Sequence, residues 1–269
     1  MFDESLKEAW LSRYGVEPPA GVPDLGHFLT HRSVRDFAPE PVSEDVVLAL
    51  VATAQSAATS SNLQMWTAIS VQDPDRRQAL NALCRDQKQI AGAAWFFAFC
   101  ADLHRVGQAA AAAGEDPSAI GTPEMYASAV VDCALAGERF VAAAESLGLG
   151  TCYIGALRNH PLEVAEILGL PNGVIGVFGL CLGWPDEEAE AEIKPRLAPE
   201  AVWHRERYTD PMPHIGEYDA RMTAFYEAQN MNPGVNWSQR SGRRVGLAGI
   251  GPRTSWGPAL VERGLLSKP

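Results

Sequence analysis

Two uninterrupted apolar runs constrain the fold of this chain more than any other feature of its sequence. AAWFFAFCAD covers residues 93–102 and ends at an aspartate, and GVIGVFGLCLGWP covers residues 173–185. Apolar runs of this length without polar alternation are typical of strands that are covered on both faces. We therefore predict two buried strands, and a third at WTAISVQD (66–73), whose composition favours a strand.

Helical segments separate these strands. Ser43 precedes apolar residues at helical spacing, which indicates an N-cap and an amphipathic helix. Thr122 and Gly148 mark the start and the end of the longest helix in the same way. The predicted helices cover residues 1–14, 43–58, 74–90, 122–150 and 217–229. This alternation predicts an α+β fold with an irregular C-terminal arm.

Composition indicates a folded protein of a reducing, aqueous compartment. The 269 residues are 46% hydrophobic and 20% charged, as in globular proteins, and their net charge of −11 argues against a nucleic-acid partner. Five scattered cysteines without a C-x-x-C pair indicate buried, reduced thiols. The polar N-terminus does not have the form of a signal peptide, and no run reaches the length of a membrane span. We expect a cytoplasmic protein that binds no membrane.

The stretch HRSVRDF (31–37) concentrates positive charge in an acidic chain. His31, Arg32 and Arg35 surround the hydroxyl of Ser33 within five positions. Guanidinium and hydroxyl groups at this density favour binding of a multivalent anion such as a phosphate. A solvated turn before a helix is the alternative reading of the same residues.

Three further polar segments are candidates for a binding site. Ser60, Ser61, Asn62 and Gln64 follow a predicted helix, and Lys194 with Arg196 follows the second buried strand. YIGALRN (153–159) contains a glycine at which the backbone could approach a flat ligand closely. An ordinary polar turn and a solvated basic pair remain the alternatives for the first two segments.

Several common catalytic motifs are missing from the sequence. It contains no G-x-x-x-x-G-K-[ST] loop, no H-E-x-x-H and no G-x-S-x-G. GLGTCYIG (148–155) spaces its glycines differently from a dinucleotide fingerprint and follows a helix instead of a strand. His27 and His31 have helical spacing, but no further ligand completes a metal shell, so no metal site is predicted.

Taken in order, the segments HRSVRDF, SSNLQ, DQKQIAGAAWFFAFCAD, ESLGLGTCYIGALRN, FGLCLGWP and KPRL resemble the FMN-dependent nitroreductase family. Within that family, the chain is similar to the NADPH-dependent, oxygen-insensitive nitroreductase and flavin reductase branch. The resemblance implies a central, mostly antiparallel β-sheet flanked by helices in an intertwined homodimer. It suggests an N-terminal extension at 1–24, an FMN-binding core at 25–210, and a C-terminal helix with an extended arm at 211–269.

The resemblance also implies the residues that bind FMN. The phosphate and ribityl chain would be held by His31, Arg32, Ser33, Lys194 and Arg196. The pyrimidine edge of the flavin would face Arg35 and Gln87. The ring or ribityl group would be contacted by Ser60, Ser61 and Asn62 of the other subunit. The turn that places a backbone N–H near flavin N5 would comprise Tyr153, Ile154, Gly155, Ala156, Leu157 and Arg158.

By the same resemblance, the chain takes hydride from NADPH or NADH and passes two electrons to nitroaromatics, quinones or free flavin by a ping-pong mechanism. No catalytic side chain is expected, because flavin N5 carries the chemistry and Arg35 only supports it electrostatically. Relatives grip the NADPH 2′-phosphate with arginines in a loop that corresponds to QNMNPGVNW (229–237), which contains none. Arg240, Arg243 and Arg244 could substitute for them. A deiodinase-like or flavin-fragmenting enzyme and a non-catalytic FMN-binding protein are the alternatives.

Overall fold

The computed structural model describes residues 6–189, 191–231 and 234–267. The chain forms two compact units, of which the first combines Met1–Arg32 with Glu190–Gly251 and the second combines Ser33–Ala189 with Pro252–Pro269. The strands of the described residues are β1 (Trp66–Ser70), β2 (Trp95–Asp102), β3 (Gly150–Ile154) and β4 (Val174–Gly183). Their α-helices are α1 (Leu6–Tyr14), α2 (Gly26–Leu29), α3 (Glu44–Gln55), α4 (Pro74–Leu83), α5 (Lys88–Gly92), α6 (His104–Ala112), α7 (Pro123–Ser146), α8 (Pro161–Leu168), α9 (Ile215–Ala228), α10 (Trp237–Val245), α11 (Leu247–Ile250) and α12 (Trp256–Glu262).

The second unit is built on one antiparallel sheet with the strand order β1-β2-β4-β3. Phe96 of β2 pairs with Cys181 of β4, which in turn pairs with Cys152 of β3. The predicted α+β class and antiparallel sheet are therefore confirmed. Strand β3 was not predicted, because its start was assigned to the helix at 122–150, its end was assigned to the turn at 153–159, and it includes the polar Thr151.

Strand β2 is buried on both faces, which explains its continuous apolar run. Phe97 and Phe99 point to one side, where their rings lie 5.2 and 5.9 Å from that of Phe140 on α7. Phe96 and Cys100 point to the other side and belong to a second apolar cluster that includes residues of α4 and α8. The alternation follows from the two-residue period of a strand. The prediction of two buried strands in this chain is confirmed.

Helix starts follow the predicted capping residues. The Ser43 hydroxyl accepts a hydrogen bond from the Val46 N–H at the start of α3. Thr122 caps α7 in the same manner. The single helix predicted over residues 74–90 is wrong, because α4 and α5 are separated by a turn in which Arg85 and Asp86 have positive φ. The composition of residues 84–87 does not indicate that break.

In the first unit, α10 packs against α9. Tyr218, Met222 and Tyr226 form a small apolar cluster, against which Trp237 at the start of α10 packs. The predicted irregular C-terminal arm is wrong in one respect, because it contains α10, α11 and α12. The proposed domain limits at residues 24 and 210 stay a prediction. Among the described residues, every helix is too short or too polar to span a lipid bilayer.

Candidate cofactor-binding site

The predicted binding residues fall into two groups, one in each unit. The first unit contains His31, Arg32, Lys194 and Arg196. The second contains Ser33, Arg35, Ser60, Ser61, Asn62, Gln87 and the turn from Tyr153 to Arg158.

One buried arginine joins the two cationic segments of the first unit. Arg13, in the last turn of α1, is only 4% exposed. Its guanidinium donates to the carbonyls of Leu29 at 2.9 Å, His31 at 2.5 Å and Lys194 at 2.7 Å. Its own carbonyl accepts a hydrogen bond from the Arg196 N–H at 2.8 Å. The segments at 29–31 and 194–196 are thereby fixed on either side of the same side chain.

The cationic side chains of these segments are held by local contacts. Arg32 donates to the Ala191 carbonyl at 3.1 Å, and the Lys194 ammonium lies 5.9 Å from the centre of the Phe225 ring. Arg196 is exposed and donates to the Lys194 carbonyl at 3.2 Å. Two guanidinium groups, an ammonium and an imidazole thus belong to two joined segments. This set of donors fits the phosphate of FMN.

In the second unit, the continuation of HRSVRDF lies against β3. Ser33 forms a β-bridge with Thr151, and the Val34 N–H donates to the Thr151 carbonyl at 2.9 Å. Two residues further, the Asp36 carboxylate accepts from the Lys88 ammonium at 2.5 Å. The structure therefore brings together three of the predicted segments of this unit, namely 33–36, the start of α5 and the strand that leads into the 155–158 turn.

Arg35 and Gln87 lie on these adjoining segments. Arg35 is exposed, and its guanidinium donates to the Ser33 carbonyl at 3.3 Å. The Gln87 amide donates to the Cys84 carbonyl at 2.9 Å and accepts from the Gln89 amide at 2.8 Å. These two bonds fix the orientation of the Gln87 amide and leave one N–H and one lone pair of that amide for a ligand.

The turn after β3 is a short 3₁₀ helix over Gly155–Arg158. A Cβ atom on Gly155 would lie 3.5 Å from a guanidinium nitrogen of Arg158 and 3.5 Å from one of Arg253, so both groups border the open side of this glycine. Arg158 also stands 6.0 Å from the Trp256 ring, and Arg253 donates to the Asn159 side chain at 3.1 Å. Arg253 was not among the predicted residues, because its place beside the turn depends on how the C-terminal segment folds back within this unit.

The segment that contains Ser60, Ser61 and Asn62 adopts an unusual backbone. Ser61, Asn62 and Gln64 have φ angles of 48°, 57° and 52°. The left-handed region costs a non-glycine residue roughly 1 kcal/mol, so neighbouring contacts must hold the loop in place.

A buried carboxylate on α7 supplies those contacts. Asp132 is 1% exposed and accepts hydrogen bonds from the Thr59 hydroxyl at 2.5 Å, the Ser60 N–H at 2.8 Å and the Met65 N–H at 3.1 Å. Arg105 holds the end of the loop by donating to the carbonyls of Gln64 and Trp66. Asp132 was not among the predicted residues, although one acidic residue among the apolar residues of a helix is the signal that could have identified it.

The loop and the 155–158 turn are associated with different turns of α7. Asp132 holds the loop, whereas the Tyr153 hydroxyl donates to the Glu138 carboxylate at 3.4 Å. These two acidic residues are separated by about 9 Å along the helix axis. The assignment of Ser60, Ser61 and Asn62 to the cofactor of another subunit stays a prediction.

The three arginines predicted to bind the NADPH 2′-phosphate lie on α10. Arg240 lies 4.9 Å from the centre of the Tyr226 ring, and Arg244 donates to the Gly249 carbonyl. Arg243 is exposed to solvent. Residues 232 and 233 of the corresponding loop (229–237) lie outside the described residues. The assignment of these arginines to the 2′-phosphate stays a prediction.

Cysteine and tyrosine side chains of this region are kept neutral by burial. All five cysteines are free and buried, as predicted, and burial raises the pKa of the Cys84 and Cys100 thiols to about 12. Burial, and then the nearby Glu138 carboxylate, raises the pKa of Tyr153 well above its ordinary value. No cluster of metal-binding side chains occurs in the described part of the chain. The Cys84 and Cys100 thiols, whose pKa is raised by burial, therefore stay protonated at neutral pH.

Comparison with known proteins identifies the family of the chain. Residues 29–184 match the Nitroreductase family, and residues 194–268 match the Nitroreductase family, C-terminal domain. The chain is 38% identical to an FMN reductase (NADPH) of Bacillus subtilis, over 79% of this chain and 87% of that protein. It is 40% identical to an oxygen-insensitive NADPH nitroreductase of Salmonella typhimurium, over 75% of this chain and 82% of that protein. The structure of the NADPH:FMN oxidoreductase of Vibrio harveyi complexed with NAD⁺ is similar, with a TM-score of 0.78, 32% identity, and coverage of 90% of this chain and 98% of that one. This chain belongs to the nitroreductase family.

Proposed function

We propose that the chain is an FMN-dependent oxidoreductase that takes hydride from NADPH or NADH and passes two electrons to nitroaromatics, quinones or free flavin. The observation that carries this proposal is the joining of His31 and Arg32 to Lys194 and Arg196 through the buried Arg13. In a chain of net charge −11, such a local cluster of cations favours the binding of a phosphate. The names of the relatives, FMN reductase and NADPH nitroreductase, support the same class of activity.

Each predicted residue has a definite task in this proposal. When bound, FMN supplies the hydride and electron-pair chemistry of its ring. His31, Arg32, Ser33, Lys194 and Arg196 hold its phosphate and ribityl chain. Arg35 places positive charge beside the pyrimidine edge. The turn at Gly155 presents its backbone to the ring, with the guanidinium groups of Arg158 and Arg253 beside this glycine. Catalysis therefore rests on orientation and fixed charge, and no side chain acts as a nucleophile.

We also propose that donor and acceptor use the same face of the cofactor in turn, which requires a ping-pong mechanism. Arg243 is the best candidate of the three α10 arginines for reading a 2′-phosphate. Its guanidinium is exposed, whereas Arg240 is stacked on a tyrosine and Arg244 is bonded to a carbonyl. A free guanidinium can bind a phosphate with two parallel hydrogen bonds.

A homodimer in the cytoplasm is part of the same proposal. Leu48 on α3 is 68% exposed, and Val131 and Leu135 on α7 are also exposed. Apolar side chains that recur on neighbouring helices are typical of a surface that a second subunit covers. Sedimentation velocity should give the mass of two chains, and the mass of a single chain would contradict this part of the proposal.

Anaerobic reduction tests the proposed activity directly. The purified protein, loaded with FMN, should lose its absorbance near 450 nm within seconds of adding NADPH or NADH, and a nitroaromatic or a quinone should restore it. A protein that binds FMN but keeps its colour after either donor is added would be a non-catalytic flavin store. A protein that retains no FMN on gel filtration would contradict the proposal as a whole.

A further inference from the structure

We propose that Arg13 is a positioning residue for the phosphate of the cofactor. In this proposal, helix α1 of the N-terminal extension serves to hold Arg13 in place. The inference rests on the proposed function, because it takes the proposed phosphate site as given. It assigns a task to a residue that lies outside the family match. That match begins at residue 29, so α1 lies before it. Arg13 is bonded to the segments at 29–32 and 194–196, and its proposed effect on a ligand passes through them.

Helix α1 holds Arg13 in place by close packing within the first unit. Ala9 on the same helix is fully buried. A Cβ atom on Gly26 would lie 2.9 Å from the Leu6 backbone nitrogen, so α1 and α2 approach each other more closely than a side chain at Gly26 would allow. Arg13 lies in the last turn of α1, where the negative end of the helix dipole favours a cation. The guanidinium is therefore fixed before any ligand binds.

Arg13 spans three carbonyl groups that belong to two separate parts of the sequence. A guanidinium presents its N–H groups in a rigid planar fork, so bonds to Leu29, His31 and Lys194 fix these carbonyls relative to one another. The carbonyl of Arg13 adds a fourth bond, to the Arg196 N–H. Both parts of the cationic cluster are thus bonded to one side chain, and the bond from Arg32 to the Ala191 carbonyl adds a weaker, single connection.

A second arginine strengthens the same connection. Arg221 on α9 donates to the Arg13 carbonyl at 3.0 Å and to the Arg196 carbonyl at 3.2 Å. The segment at 194–196 is therefore bonded to Arg13 and to α9. Loss of the Arg13 fork would leave this segment attached to α9, and its connection to the segment at 29–32 would then depend on the bond from Arg32 to the Ala191 carbonyl. The expected consequence is a wider spacing between the two groups of cations, which a phosphate could no longer bridge.

Separate titrations of the apoprotein with FMN and with riboflavin, followed by quenching of flavin fluorescence, test this inference. The ratio of the two dissociation constants isolates the contribution of the phosphate, because both ligands share the ring and the ribityl chain. Arg13→Met keeps the length of the side chain and removes its donors. We expect FMN to bind at least about ten-fold more weakly to this variant, which corresponds to the loss of one charge-assisted contact, with riboflavin binding unchanged.

Two further variants separate positioning from a general effect on stability. Arg13→Lys keeps the charge, but one ammonium cannot span three carbonyls, so this variant should also lose preference for FMN. Arg263→Met is the matched control, because Arg263 likewise donates to two backbone carbonyls, those of Leu170 and Pro171, at a place that contains none of the predicted phosphate ligands. In Arg263→Met, the ratio of the dissociation constants for FMN and riboflavin should equal that of the wild type.

The possible results distinguish this inference from the proposed function. An unchanged ratio in Arg13→Met, or an equal fall in affinity for both flavins, would overturn the positioning role while leaving the FMN site intact. A wild-type protein that binds FMN no better than riboflavin would contradict the proposed phosphate site and the inference together.

Discussion

The loop at 59–65 gives a prediction whose size follows from the structure. Asp132 is buried and accepts three hydrogen bonds, two of them at Oδ2 and one at Oδ1. Asp132→Asn keeps the shape of the side chain and replaces one acceptor oxygen by an NH₂ group. The best arrangement of the amide retains the bonds from Thr59 and Met65 and directs the new NH₂ group at the Ser60 N–H, which leaves two donors facing each other.

The expected destabilisation can be worked out from these bonds. A hydrogen bond to a charged group contributes roughly 1.5–3 kcal/mol, and one such bond is lost. The two that remain change from charged to neutral acceptors, which weakens each by roughly half. Partial relaxation of the left-handed residues in the loop offsets part of the loss. We therefore expect Asp132→Asn to lower the free energy of unfolding by about 3 kcal/mol.

Urea denaturation monitored by tryptophan fluorescence measures this change. Asp116→Asn is the matched control, since the exposed Asp116 accepts two hydrogen bonds from its neighbour Ser118 and should contribute less than about 1 kcal/mol. A midpoint shift in Asp132→Asn no larger than that of the control would refute the argument, because it would show that the loop does not depend on the buried carboxylate.

Three other substitutions test the remaining parts of the site and the core. Arg35→Ala should slow reduction by NADPH and weaken FMN retention by about ten-fold, and wild-type values for both would remove Arg35 from the site. Arg243→Ala should raise the Michaelis constant for NADPH by about ten-fold more than that for NADH, with Arg244→Ala having the smaller effect; equal changes for both donors would exclude 2′-phosphate recognition. Gly179→Ala in β4 should lower stability by about 1–3 kcal/mol, because its Cβ would meet the Phe96 ring at 2.7 Å, whereas Gly216→Ala, with open space around it, should not.

The elements that could be predicted from sequence are those that leave a local signal. Burial on both faces makes β2 and β4 continuous apolar runs, and capping residues mark the starts of α3 and α7. Strand β3 left no such signal, because it has only five residues and contains Thr151, which is fully buried although polar. The break between α4 and α5 also left no local signal. Arg85 and Asp86 adopt left-handed backbone angles there, but neither residue by itself predicts a turn at this place.

The residues that position the site could not be found from sequence, because their partners are distant along the chain. Nothing near Arg13 indicates that it bonds to the carbonyl of Lys194, and nothing near Arg253 indicates that it lies beside Gly155. The binding residues themselves were proposed because several motifs occur in the order that is typical of one family. Pairing between distant segments is a property of the fold, and it becomes visible only when the chain is folded.

Arg13 and Asp132 show that each unit uses the same physical means to hold a polar segment. A buried charge without partners costs several kcal/mol, and both side chains avoid that cost by bonding to three groups of nearby segments. A movement of either segment would leave the charge without its partners, so the cost of burial becomes a penalty against movement. Surface segments are ordinarily mobile, and a ligand that orders them must offset the lost entropy. Folding itself fixes these segments, so in the proposed site the binding energy of FMN would be available for holding and orienting the cofactor.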